Sequence, residues 1–146
     1  MSANNRQEGG SHYAAGGNRY QHWDYTVRAL DNSYLEGCLT KYVMRSRFKG
    51  TPLNDLKKAR HYAEKLIEES NAGEVSPLFN HHYRELTFDI GRMSRMHELN
   101  DEEHEILVRV ANWRSVDDIL HIVGVIDHLI ALAVQAQAIG PPHPTE

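Results

Sequence analysis

The chain has a single cysteine, Cys38, in 146 residues, so no disulfide can close within it, and the expectation is a reducing cytosol rather than secretion. No signal peptide is visible: residues 1–27 are polar and Gly-rich and have no apolar h-region. Neither G-x-x-x-x-G-K-[ST] nor G-x-G-x-x-G occurs, so any phosphate-binding role must be built without a P-loop or a dinucleotide fingerprint. The ten histidines form neither H-E-x-x-H nor a Cys/His zinc spacing, and surface or core hydrogen-bonding roles are the plainer reading of them. Strand signals and internal repeats are missing too. What remains is helical periodicity, and the expected fold class is all-α.

The helices are delimited by turn and cap chemistry. Residues 1–19 read as a flexible segment in which two Gly pairs bracket Ser11-His12-Tyr13. A short helix is expected over Gln21–Leu30, then a helical hairpin over about 34–69. Its first helix, Tyr34 to Phe48, carries the stripe Leu35, Cys38, Leu39, Tyr42 and Val43 and stops at Gly50. Its second opens at Thr51-Pro52, an N-cap followed by proline at N1, with Leu56, Ala59, Tyr62, Ala63, Leu66 and Ile67 on one face. Beyond a linker at 71–73, Ser76-Pro77 predicts a helix over about 77–98, with Phe79, Tyr83, Leu86, Ile90, Met93 and His97 as its stripe. Asn100 with Glu103 predicts a capping box and a helix over about 101–113. Ser115 with Asp118 opens the last helix, 116–139, which Gly140-Pro141-Pro142 ends. The organisation is then a flexible segment (1–19), a helical region (20–70), a C-terminal helical region (76–140) and a tail (141–146).

The run Ile119–Ala138 is long enough to tempt a membrane assignment. It contains His121, Asp127 and His128 and follows Asp117-Asp118, and such groups are costly in a bilayer, so a buried helix and no membrane are expected. A helix apolar nearly all round needs cover, and a chain this size has few elements to supply it. A homo-oligomer built through the C-terminal helices is therefore expected.

Charge is divided unevenly. The net charge is −4, yet residues 28–60 hold eight Lys/Arg against three acids, whereas residues 61–146 hold six against fifteen. A local basic block in an acidic chain suits a small anion and not the wrapping of duplex nucleic acid. Lys41 and Arg45 share a helical face, and the hairpin can bring Arg45, Lys49 and Lys57 or Lys58 together to hold a di- or triphosphate. Tyr13, Trp23, Tyr34 and Phe48 are available to stack a base. The plainer alternative is a solvated basic helix face. Glu36 and Asp55 are the acids nearest the block, and Asp55 also suits the first turn of its helix. A second acidic cluster, Asp101 to Glu105, contains E-x-x-E; paired acids one turn apart can hold Mg²⁺, and with Asp117-Asp118 they faintly resemble the all-α nucleotide pyrophosphohydrolases.

A more specific resemblance lies in an ordered series of phrases: Gly10-Ser11-His12-Tyr13, Gln21-His22-Trp23-Asp24, Tyr34-Leu35-Glu36-Gly37, Thr40-Lys41-Tyr42-Val43-x-Arg45, Lys49-Gly50, and Asp55 to Glu68. Over residues 10–69 this resembles a family of small tailed-phage proteins commonly described as nucleotide kinases, whose namesake phosphorylates deoxynucleoside monophosphates without the usual kinase fold. The resemblance implies a phage protein acting on nucleotide pools in the host cytoplasm, with a nucleoside triphosphate as donor and a deoxynucleoside monophosphate as acceptor. On the positions it supplies, charge and spacing suggest roles. His12 and Tyr13 close over the nucleotide, Trp23 stacks on it, Lys41, Arg45, Lys49 and Lys58 hold phosphates, and Glu36 and Asp55 orient the reactants or hold Mg²⁺. The rival expectations are Mg²⁺-dependent pyrophosphohydrolysis at Glu102 and Glu105, and nucleotide or host-protein binding without turnover.

Overall fold

The computed structural model describes residues 19–46 and 50–139. These contain six α-helices and no strand: α1 (His22–Arg28), α2 (Tyr34–Arg45), α3 (Pro52–Asn71), α4 (Ile90–Met96), α5 (Asp101–Ala111) and α6 (Val116–Ile139). The all-α expectation holds. Residues 1–18, residues 47–49 within the basic block, and residues 140–146 lie outside the described residues.

Four helices close a ring: α2 packs on α3, α3 on α6, α6 on α5, and α5 back on α2. Tyr42 stacks on Tyr62 while Arg45 approaches Asp55, so α2 and α3 run antiparallel as a hairpin. Glu105 reaches His121 and Glu102 reaches His128, which makes α5 and α6 antiparallel as well. Inside the ring lie Leu39, Val43, Ala59, Leu66, Ile106 and Ile122, all fully buried. Each such aliphatic side chain larger than Ala contributes about 1.5–3 kcal/mol relative to exposure. Ala59 and Ala63 leave α3 slim on its inner face, which lets its neighbours approach closely.

Helix ends follow the chemistry read from the sequence. Asn100 accepts from the Glu103 N–H and the Glu103 carboxylate accepts from the Asn100 N–H, both at 2.8 Å. Pro52 occupies the first turn of α3 behind Thr51, which stands at the N-cap position but makes no side-chain capping hydrogen bond. Gly50 and Gly73 take φ of +70° and +75°, the left-handed region where a side chain is strained.

Three expectations are corrected. The first concerns the single helix over 77–98. That segment instead forms a 3-10 turn at Leu78–Asn80, an irregular stretch, and the seven-residue α4. The stripe that suggested one helix does not share a face: Tyr83 is 90% exposed and Leu86 77%, and the real anchors are Leu78 and Met93, both fully buried. The irregular stretch is fastened by side chains rather than by a helical ladder. His81 Nδ1 meets Asp31 and its Nε2 meets the Ser76 hydroxyl, each at 3.1 Å, and Arg84 donates to the Ala111 carbonyl.

The second correction concerns α2. Its buried face is rotated from the expected stripe, taking in Glu36, Gly37 and Thr40 and turning Cys38 outward to a half-buried position. The third concerns α6. Ile119, Ile122, Ile126 and Leu129 are buried, but only 22% of its most apolar window is buried among the described residues, so most of that window is not buried within the single chain.

Candidate functional site

The turn at 29–33 folds α1 back beside α2. Asp31 and Asn32 take φ of +52° and +60°, a conformation that Asp and Asn tolerate better than other side-chain-bearing residues. The two helices approach closely at Gly37, where an added Cβ would stand 3.1 Å from the Thr26 methyl. Between them opens a cleft of about 290 Å³, lined among others by His22, Trp23, Tyr34, Cys38 and Lys41. Trp23 is 45% exposed and Tyr34 71% exposed, and the Lys41 side chain is also exposed. Two aromatic faces and one ammonium group therefore border the same small cavity.

A neutral histidine ring, His22, forms part of the cleft wall. The Thr40 hydroxyl donates to the main-chain carbonyl of Glu36 at 3.0 Å, with that of Gly37 at 3.2 Å. Carbonyls only accept, so the 2.8 Å contact between Thr40 Oγ1 and His22 Nε2 requires Nε2 to carry the proton, leaving Nδ1 as a lone-pair acceptor. Removal from water, then the charges of Lys41 and His97, push the His22 pKa down to about 3. The ring is therefore neutral at any physiological pH.

One turn further along α2, a second cationic group stands on aromatic rings. The Arg45 guanidinium lies 5.9 Å and the Lys58 ammonium 5.3 Å from the Tyr42 ring centre. Tyr42 in turn stacks on Tyr62 at 5.8 Å and 12°. Tyr34 meets Tyr62 edge-on at 6.4 Å, and its hydrogen bond, followed by the nearby Cys38, pushes the Tyr62 hydroxyl up to about 12. The face of α2 that carries Lys41 and Arg45 is thus continuous from the cleft to the α2–α3 corner. Of the residues singled out in the sequence, Trp23 and Lys41 come together in the cleft, and Arg45 and Lys58 come together beside it. His12, Tyr13 and Lys49 lie outside the described residues.

The two acids are placed elsewhere. Glu36 is 4% exposed and accepts the indole N–H of the fully buried Trp113 at 3.1 Å. Burial raises its carboxyl above the ordinary value, partly offset by that hydrogen bond. Asp55 is 2% exposed. One of its oxygens stands 3.9 Å from Arg45 Nε, and the other is buried without a hydrogen-bond partner. Neither carboxylate lines the cleft, and the described residues contain no group of three His, Cys, Asp or Glu side chains able to hold a metal ion.

A larger recess of about 480 Å³ opens beside α5, lined by His104, Glu105, Val108, Arg109, Asn112 and Asp118. Its charged groups are committed to one another. Glu105 accepts from Arg109 at 3.1 Å and meets His121 at 3.2 Å, and these contacts, that with His121 first, hold its carboxyl below the ordinary range. Asp118 accepts the Arg114 and Ser115 N–H groups at the start of α6, and His104 meets the Ser94 hydroxyl at 2.8 Å. Glu102, the other half of the E-x-x-E pair, stands 3.9 Å from His128. The α1–α2 cleft, with its exposed cation and rings, is the stronger candidate. Tyr34, singled out as a stacking ring, belongs to it, and so does His22, to which the sequence reading gave no role; its tautomer depends on the Thr40 bond.

Residues 8–64 match the model of a family described as a protein of unknown function (DUF3310). That span contains α1, α2, the described part of the corner between α2 and α3, and α3 as far as residue 64, and so the whole cleft. No curated protein and no solved structure matches the chain.

Proposed function

We propose that the protein binds a nucleoside phosphate in the α1–α2 cleft and acts on nucleotide pools in the cytoplasm of a phage-infected host. The observation that carries this reading is the convergence of Trp23, Tyr34 and Lys41 on one small cavity. An aromatic pair offers a stacking surface to a base, and a lysine ammonium offers a point charge to a phosphate. The cavity, at the low end of the size range for small-ligand sites, suits a single mononucleotide. Neutral His22 adds no second positive charge to the cleft wall.

Phosphoryl transfer to a deoxynucleoside monophosphate is the second reading. What favours it is the adjacent Arg45–Lys58 group over Tyr42, which offers a place for the phosphates of a second nucleotide one helical turn from the first. Transfer also needs groups that neutralise charge on the moving phosphoryl, and Glu36 and Asp55 are buried away from the cleft, so binding is the better supported of the two.

Incubating the purified protein with a labelled nucleoside triphosphate, Mg²⁺ and each deoxynucleoside monophosphate, alongside calorimetric titration of each nucleotide, tests both. Saturable binding that Lys41→Ala abolishes, with no labelled product, supports the binding reading. Labelled diphosphate establishes the kinase. An absence of binding by every nucleotide refutes the proposal.

A further inference from the structure

Among the described residues, the middle of the outward face of α6 is uncovered, and only its edges are touched, by Arg60 at Asp127, Glu105 at His121 and Glu102 at His128. The helix is long and apolar enough to span a membrane, yet 22% of its most apolar window is buried. Leu120 is 53% exposed, Leu132 46%, Val134 48% and Ile139 83%. Residues 134–139 are exposed on every side. The helix has 24 residues against 20 in α3, its main neighbour, so it is about 6 Å the longer at 1.5 Å per residue.

Gly124 sits in the middle of this outward face, with nothing within 4 Å of where its Cβ would be. Glycine in a helix interior costs about 0.5–1 kcal/mol relative to alanine, and no described residue of the same chain supplies a packing reason for it. A second helix crossing close to the backbone would supply one.

We propose that this face is the interface between two copies of the chain, with α6 lying antiparallel to the partner's α6 about a two-fold axis that passes between positions 127 and 128. An isologous contact requires the surface to complement itself. About that axis, Gly124 faces the partner's Ala131, so two small residues meet on each side and let the backbones approach. Leu120 faces the partner's Gln135, whose methylenes cover it. Asp127 faces the partner's His128 at the centre, an acid opposite an imidazole; each copy supplies the pair once, Asp127 keeping its own Arg60 at 2.7 Å and His128 its own Glu102 at 3.9 Å at the flanks. Val134 and Ala138, in the turns that no other described residue covers, lie over the partner's His121 and Asp117. A bilayer is the poorer occupant, because the same face carries Asp117, His121, Asp127 and His128 along its length, and burying those groups in hydrocarbon is costly.

Sedimentation velocity on the full chain, across micromolar concentrations, reads the mass directly. The wild type is expected at twice the 16.7 kDa of one chain. Gly124→Trp is expected to weaken the dimer at least about tenfold, the equivalent of 1.4 kcal/mol, while its circular dichroism stays that of the wild type, because the position is open in the monomer. His128→Cys in a Cys38→Ser background is expected to cross-link two chains under mild oxidation, and Val116→Cys in the same background is not. A wild type that stays at 16.7 kDa throughout overturns the proposal. So does a dimer that Gly124→Trp leaves intact, or one that cross-links through position 116 and not 128. Flotation of the protein with phosphatidylglycerol–phosphatidylethanolamine vesicles in place of dimerisation overturns it in favour of a membrane surface.

Discussion

Replacing Glu36 distinguishes a carboxylate that holds the fold from one that faces a substrate. The side chain is 4% exposed, and its partner, the Trp113 indole, is fully buried. Glu36→Ala leaves the Trp113 Nε1–H without the acceptor it has at 3.1 Å; orphaning a buried donor costs about 1–3 kcal/mol. Loss of the side-chain methylenes and the resulting cavity add about 1 kcal/mol. A total of roughly 2–4 kcal/mol corresponds to a fall of roughly 6–15 °C in Tm for a chain of this length. Glu36→Gln behaves differently, because its amide oxygen can accept the same N–H and carries no charge to bury. Burial holds the Glu36 carboxyl above its ordinary value of 4.5. Its contribution is therefore full below that value and is lost as pH rises through the folded pKa. Thermal melts at pH 4 and pH 8 should show Glu36→Gln near wild type at the lower pH and above it at the higher, with Glu36→Ala well below wild type at both. A Glu36→Ala variant that melts with the wild type, or a Glu36→Gln variant as damaged as Glu36→Ala, would refute the structural role.

Other residues give further tests. His22 has its pKa lowered from 6.5 to about 3, so its contribution to stability is full above pH 6.5 and is lost as pH falls toward 3; Tm followed between pH 7 and pH 4 should fall less steeply in His22→Gln than in wild type. Gly50 has a φ of +70° and open space around it, so Gly50→Ala should cost about 1–2 kcal/mol from backbone strain alone, read from the urea midpoint. The Arg60–Asp127 contact at 2.7 Å joins side chains 39% and 48% exposed, and Arg60→Ala should change stability by no more than about 1 kcal/mol, an effect that should shrink further in high salt.

Much of the fold was readable because its signals are local. Asn100 with Glu103, Pro52 after Thr51, and the Leu56–Ala59–Ala63–Leu66 face are each set by residues within a turn or two of one another, and each stands where the sequence puts it. The segment 77–98 failed for the opposite reason. Phe79, Tyr83 and Leu86 have helical spacing, but the chain there is fastened by Asp31, Arg28 and Ala111, contacts that no local pattern announces. The rotation of α2 has a similar origin: Glu36 is drawn inward by Trp113, 77 residues away. At the cleft, charge and aromatic content singled out Trp23, Lys41, Arg45 and Lys58, because exposed cations and rings in a basic block are unusual in an acidic chain. The sequence also made Glu36 and Asp55 neighbours of that block along the chain, but nearness in sequence says nothing of burial, and both side chains turn inward.

The most direct test of the account is a fluorescence titration of the wild-type chain with nucleoside mono-, di- and triphosphates, using the two tryptophans as reporters. Trp23 borders the cleft and Trp113 is fully buried, so a Trp113→Phe variant assigns the signal to Trp23. The account predicts saturable quenching by at least one nucleotide, retained in Trp113→Phe and lost in Lys41→Ala. Quenching absent for every nucleotide in the wild type, or undiminished in Lys41→Ala, would contradict it.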